Sequence, residues 1–143
     1  MSGWLFVHVL ALGLWLGCVT IEAILELHAH RDAVLRAGIA RIHFWIDMLA
    51  EMPAFTMVAI SGIAMLDPAR MQGAYAVMVV AGSIAIAVNL WCVLPVIRRR
   101  AAANRDDATT RDAQTRLVFL AFAMGLPFGL AALFGGLLQS GMI

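Results

Sequence analysis

A chain of 143 residues with a formal net charge of +1 and a mean hydropathy of +0.90 is 63% hydrophobic and only 13% charged. A soluble domain of this size would be about a quarter charged, and basic residues that sit in short loops rather than on one face give no sign of a nucleic-acid partner, so none is expected. Cys18 and Cys92 both lie inside apolar stretches, which excludes a disulfide framework and reads them as small buried hydrophobes.

A membrane span needs about 20 mostly apolar residues, and four such stretches use up most of the chain. The fold class expected is therefore all-α: an integral-membrane four-helix bundle forming one transmembrane domain over residues 1–143. The first helix is predicted over about 4–27. It has no basic leading segment and is too long for a signal-peptide core, so it reads as a retained span. It ends in the polar string His28-Ala29-His30-Arg31-Asp32. The second helix is predicted over about 39–66, stopping at the turn signal Asp67-Pro68. The third runs over about 73–97 and stops at Arg98-Arg99-Arg100. The fourth covers about 116–138. The segment between them mixes arginines with Asp106, Asp107 and Asp112 and reads as a solvated connector or short surface helix, with attraction to anionic lipid as the alternative.

All ten basic residues are arginines. Nine of them fall between helices 1 and 2 or between helices 3 and 4, and only Arg70 lies at the other end. The positive-inside rule then makes both arginine-rich loops cytoplasmic and both termini non-cytoplasmic, in a multi-pass protein of a bacterial-type inner (plasma) membrane. Gly13-x-x-x-Gly17 and Gly125-x-x-x-Gly129 let helices approach closely, either within the bundle or between copies of a homo-oligomer. Apart from that, the lipid bilayer is the expected partner.

The chemistry lies with the acids. Four of the nine, Glu22, Glu26, Asp47 and Glu51, fall within the predicted spans, where each carboxylate needs a partner or a task. Glu22, Glu26 and His30 are spaced by four along one face of helix 1, and His43, Asp47 and Glu51 repeat that spacing on helix 2. The short connection makes the two helices antiparallel neighbours, so the triplets lie at similar depth and face each other. Asn89 on helix 3 lies at a comparable depth, and His28 is an alternate ligand beside them.

Four ionised carboxylates in an apolar setting would repel one another strongly. Two divalent cations would neutralise them, with two imidazoles completing the shells, and one or two ions are expected. Mixed oxygen and nitrogen ligation suits iron, manganese or zinc, with copper less favoured. The metal set is thus Glu22, Glu26, His30, His43, Asp47 and Glu51, with Asn89 and His28 as second-tier ligands. Inward carboxylates and histidines also build the di-iron sites of soluble bundles, although the motif there is Glu-x-x-His and here it is Glu-x-x-x-His. The competing readings are ion pairs of Glu22 and Glu26 with Arg36, Arg41 or Arg116 with His30 and His43 as interface residues, protonated carboxyls hydrogen-bonded between helices, and a proton or substrate path. His8 has no second histidine at its height, so it reads as a core or interface residue and haem is not expected. Trp4, Trp15, Trp45 and Trp91 read as packing or interfacial-belt residues.

The string from His8 to Gly17, with its His-x6-Trp-x-Gly pattern, resembles the first helix of the copper-resistance D-type membrane proteins and of the haem-dependent protoporphyrinogen oxidases. The lysine that accompanies the histidine in the oxidases is absent here, so the resemblance implies the helical membrane fold rather than that activity. Glu26-x3-His30-x12-His43 is similar to the Asp-x3-His-x12-His copper-site spacing of the particulate methane monooxygenase C subunit. His43-x3-Asp47 looks like the transport-site pair of zinc-exporting cation diffusion facilitators. Three functions follow as expectations: a non-haem metal-dependent oxidoreductase of the membrane, a divalent-metal transporter or metal-delivery protein, and a structural subunit of a larger membrane complex.

Overall fold

The computed structural model describes residues 3–140, and these are helical almost throughout. Four helices are long and apolar enough to cross a membrane: α1 (Gly3–Arg31), α2 (Arg36–Ala64), α3 (Gly73–Asn104) and α4 (Ala108–Ser140). Each has at least 29 residues, well beyond the roughly 20 that span a bilayer core. None has a pronounced apolar face, because residues turned away from the neighbours are as apolar as those turned toward them; Leu10, Leu49, Ile63, Leu90 and Leu126 are all exposed. That is the pattern of helices that are hydrophobic all round.

The helices pack as two hairpins. α1 lies along α2, α3 lies along α4 over most of its length, and the hairpins meet where the first half of α2 crosses α3. The second half of α2 scarcely touches α3. At the far end of the α3–α4 pair, Gly135 lets the backbones nearly touch: a Cβ there would come within 2.9 Å of the Met78 amide nitrogen. Gly125 faces Val88, whereas Gly13, Gly17 and Gly129 have nothing within 4 Å of an added Cβ. Among the described residues, the α1 glycine pair therefore serves no close packing contact.

α1 runs to Arg31 and α2 begins at Arg36, each a few residues beyond expectation, and two boundaries differ more. α3 continues seven residues past Ile97 to Asn104, and α4 begins at Ala108 rather than near Arg116, so only Arg105–Asp107 links them. The arginine segment is thus helix, not loop. Ala101, Ala102 and Ala103 are the strongest helix formers, Asp106 makes the turn with a positive φ of 56°, and the Asp107 carboxylate caps α4 by accepting from the Thr110 amide at 3.0 Å. The Asp107 carboxyl is held below its usual range by the Thr110 hydroxyl and amide.

Inside α2, residues Asp47–Glu51 form a single π-helical turn. Pro53 accounts for it: its missing N–H leaves the Leu49 carbonyl without its helical partner, and its ring pushes that carbonyl aside. Widening the turn before the proline relieves the clash, and such π-turns occur often at functional sites.

Candidate metal centre

Two buried apolar clusters bracket a polar layer. On one side are Ala11, Trp15, Ala54, Phe55, Val58 and Ala85; on the other are Cys92, Val96, Val118 and Ala121. Glu22 and Glu26 of α1, His43, Asp47 and Glu51 of α2, and Arg99 of α3 are all buried, and they form the layer between.

The layer has two parts. In the first, Arg99 grips Glu26 with both terminal nitrogens, Nη1 to Oε2 at 2.7 Å and Nη2 to Oε1 at 2.6 Å. This is the bidentate fork that guanidinium and carboxylate make best. His43 Nδ1 lies 2.6 Å from the same Oε1 and 2.8 Å from Arg99 Nη2. Since Arg99 can only donate, the arrangement that satisfies all three groups has Nδ1–H donating to Glu26. The opposite ring nitrogen, Nε2, then faces the second part of the layer.

There, Nε2 lies 3.6 Å from Glu22 Oε2 and 3.5 Å from Asp47 Oδ1. Glu22, His43 and Asp47 each offer a ligand atom, all within 4.8 Å of one another. Separations of 3.5 and 3.6 Å are long for hydrogen bonds. They match the edge of a tetrahedron of ligands around one metal ion, about 3.4 Å for bonds of about 2.1 Å. Glu22 is 1% exposed, and among the described residues its Oε1 meets no N–H or hydroxyl donor, only the neighbouring carboxyls of Glu51 and Asp47. A buried carboxylate oxygen left so is costly unless something polar reaches it. Glu51 sits beside Glu22 and Asp47, and its Oε1 accepts a 2.9 Å hydrogen bond from the Trp15 indole.

The eight sequence-predicted ligands separate accordingly. Glu22, His43 and Asp47 come together, with Glu51 adjoining. Glu26 is engaged by Arg99 and reaches the group through His43. His30 and His28 are exposed: His30 stacks on Phe119 with ring centroids 6.1 Å apart, and His28 Nδ1 bonds back to the Ile24 carbonyl. The side chains of α1 rotate through 400° every four residues, so by His30 the face has drifted away from α2. Asn89 is half-buried on α3, outside the group.

The partner of the acids is also not among the arginines considered. Arg36 pairs with Asp112 at 3.1 Å, and Arg41 bonds Asn104 and the Ala103 carbonyl. Arg99, 1% exposed, is the residue that sequence reading passed over. A signal was present: Ala85, Cys92 and Arg99 are seven apart, so the inward stripe of α3 runs straight through the middle arginine of the triplet. Its neighbours turn outward, and Arg100 lies over the Phe44 ring at 3.9 Å and the Trp45 ring at 4.8 Å. Comparison with protein-family models, with curated proteins and with solved structures gave no match.

Proposed function

We propose that this chain is a multi-pass membrane protein that holds one divalent transition-metal cation between Glu22, His43 and Asp47, with Glu51 as fourth ligand or proton acceptor, at the centre of a membrane metalloenzyme of the oxidoreductase class. The observation that carries this reading is the buried convergence of Nε2 and the Glu22 and Asp47 carboxylates, all within 4.8 Å of one another and spaced at 3.5 and 3.6 Å as ligands of a shared cation would be.

Geometry favours one ion, because the described residues bring together one group of three ligand atoms, all within 4.8 Å of one another. Arg99 neutralises Glu26, leaving the carboxyls of Glu22, Asp47 and Glu51 to be balanced. An oxygen-rich set with one imidazole favours iron, manganese or zinc. In this reading Glu26 is a positioning residue: by accepting from Nδ1 it fixes the tautomer that presents the Nε2 lone pair, the usual carboxylate–histidine–metal arrangement. When bound, the metal would supply Lewis-acid or redox chemistry. The apolar cluster of Trp15, Phe55 and Val58 closes one side of the site, which favours a retained ion over one in transit. The arginine-rich end faces the cytoplasm of a bacterial-type inner membrane, with both termini outside.

The Arg99–Glu26–His43 pairing favours a second reading, in which the layer is a structural ion-pair network with no metal. Elemental analysis of detergent-purified protein, grown with iron, manganese and zinc, separates the two. About one equivalent of metal is expected, lost in His43→Ala and Asp47→Ala. Glu26→Gln should retain it with affinity lowered about 10- to 100-fold, as for other outer partners of metal-bound histidines. A metal-free wild type would leave the ion-pair network as the account. The element found decides between redox chemistry and a delivery or transport role.

A further inference from the structure

A second polar feature lies at the arginine-rich end, outside the layer just described. α1 and α4, the first and last helices, barely approach one another, and between them is a cavity of about 120 Å³ lined by Glu26, His30, Thr115, Arg116 and Phe119. That is several times the space one water needs. We propose that this cleft is a phosphate site, built to seat the headgroup of an anionic phospholipid or a free phosphate of the same chemistry.

The donors decide the sign of the ligand. Arg116 is exposed and has no carboxylate within ion-pair distance among the described residues. Arg99 is taken by Glu26, Arg36 by Asp112, and Arg100 by the rings of Phe44 and Trp45; Arg31, Arg98 and Arg105 are exposed like Arg116, but Arg116 is the arginine that lines the cavity. The negative charge on the cavity wall, Glu26, is cancelled by Arg99 and does not repel an anion. The Thr115 hydroxyl donates to the Arg111 carbonyl of its own helix at 2.9 Å, so it offers the cavity no donor. Arg116 and the His30 ring are left to meet an oxyanion, and guanidinium suits a phosphate particularly well.

The surroundings favour a lipid as the source. Phe119 stacks on His30 at the cavity and is itself half exposed, leading to the exposed Leu120 and Met124 further along α4. A headgroup at Arg116 would have its acyl chains running along that apolar side, at the depth where juxtamembrane arginines meet anionic headgroups. This inference does not rest on the metal reading.

Native mass spectrometry of the full-length protein in detergent micelles tests it, with dioleoyl phosphatidylglycerol, dioleoyl phosphatidylcholine and inorganic phosphate as probes. Phosphatidylglycerol should be retained over phosphatidylcholine. Arg116→Gln should lower its retention at least fivefold, while Arg105→Gln, an equally exposed arginine at the same end but outside the cleft, should change it less than twofold. Thr115→Trp, which fills the cavity without altering charge, should mimic Arg116→Gln. Arg116-dependent binding of inorganic phosphate without lipid retention would support the same site with a soluble source. Equal losses in Arg116→Gln and Arg105→Gln, or no binding of either probe, would overturn the proposal.

Discussion

At the scale of single residues, Arg99 matters most. It is a guanidinium with almost no exposure, held by two short bonds to one carboxylate. Removing one member of such a pair leaves the other charged and unpaired in an apolar setting, at a cost of about 3–5 kcal/mol. Arg99→Met is therefore expected to destabilise the protein strongly, and Arg99→Met combined with Glu26→Met should recover most of the loss. Thermal denaturation in detergent of the two single variants and the double variant measures this as a coupling energy. If the double variant is as unstable as the sum of the singles, the pair contributes nothing through mutual neutralisation.

Among the elements, the π-turn of α2 sets how Asp47 and Glu51 are presented. It begins at one ligand candidate and ends at the other, and Pro53 holds it in place. Pro53→Ala restores the missing N–H and lets the turn relax toward α-helix, which would rotate Asp47 relative to Glu51 and Trp15. The expected result is weaker metal binding, roughly tenfold, comparable to displacing an outer partner, with unchanged or raised thermal stability. Titration with cobalt or zinc by calorimetry reads the first and denaturation the second; unaltered affinity would show that the π-turn does not tune the site. The π-turn also marks a limit of sequence legibility. Spacing by four put His43, Asp47 and Glu51 on one face whether the turn was α or π, so the triplet was readable although its local geometry was not. On α1 the same spacing overreached, because faces drift by about 40° every four residues of an ideal helix. Glu22 and Glu26 are on the shared side, and His30 is past it.

For the molecule as a whole, the four helices were legible because apolar composition over such lengths leaves few alternatives. The ends of α3 and α4 were not, since a run of arginines reads as solvent-exposed whether or not its backbone is helical. Arg99 was hidden by the same habit: three adjacent arginines look alike in sequence, and only the helical phase of α3 tells the inward one from its neighbours. Orientation is the remaining whole-molecule expectation. Nine arginines at one end predict that alkaline phosphatase fused after Ile143 is active and that green fluorescent protein fused there is dark; the reverse pattern would invert the topology.

The arrangement of the two hairpins has a consequence for biosynthesis. The acids of the polar layer all belong to α1 and α2, whereas the guanidinium that neutralises Glu26 lies 73 residues later, on α3. A ribosome therefore makes the acidic hairpin before its counter-charge exists. During that interval Glu22, Glu26, Asp47 and Glu51 share a low-dielectric space with His43 but without Arg99. Protons or a captured cation would offset the repulsion of the acids until α3 arrives. Chain order thus keeps the acids apart from their counter-charge for as long as residues 65–98 take to be made.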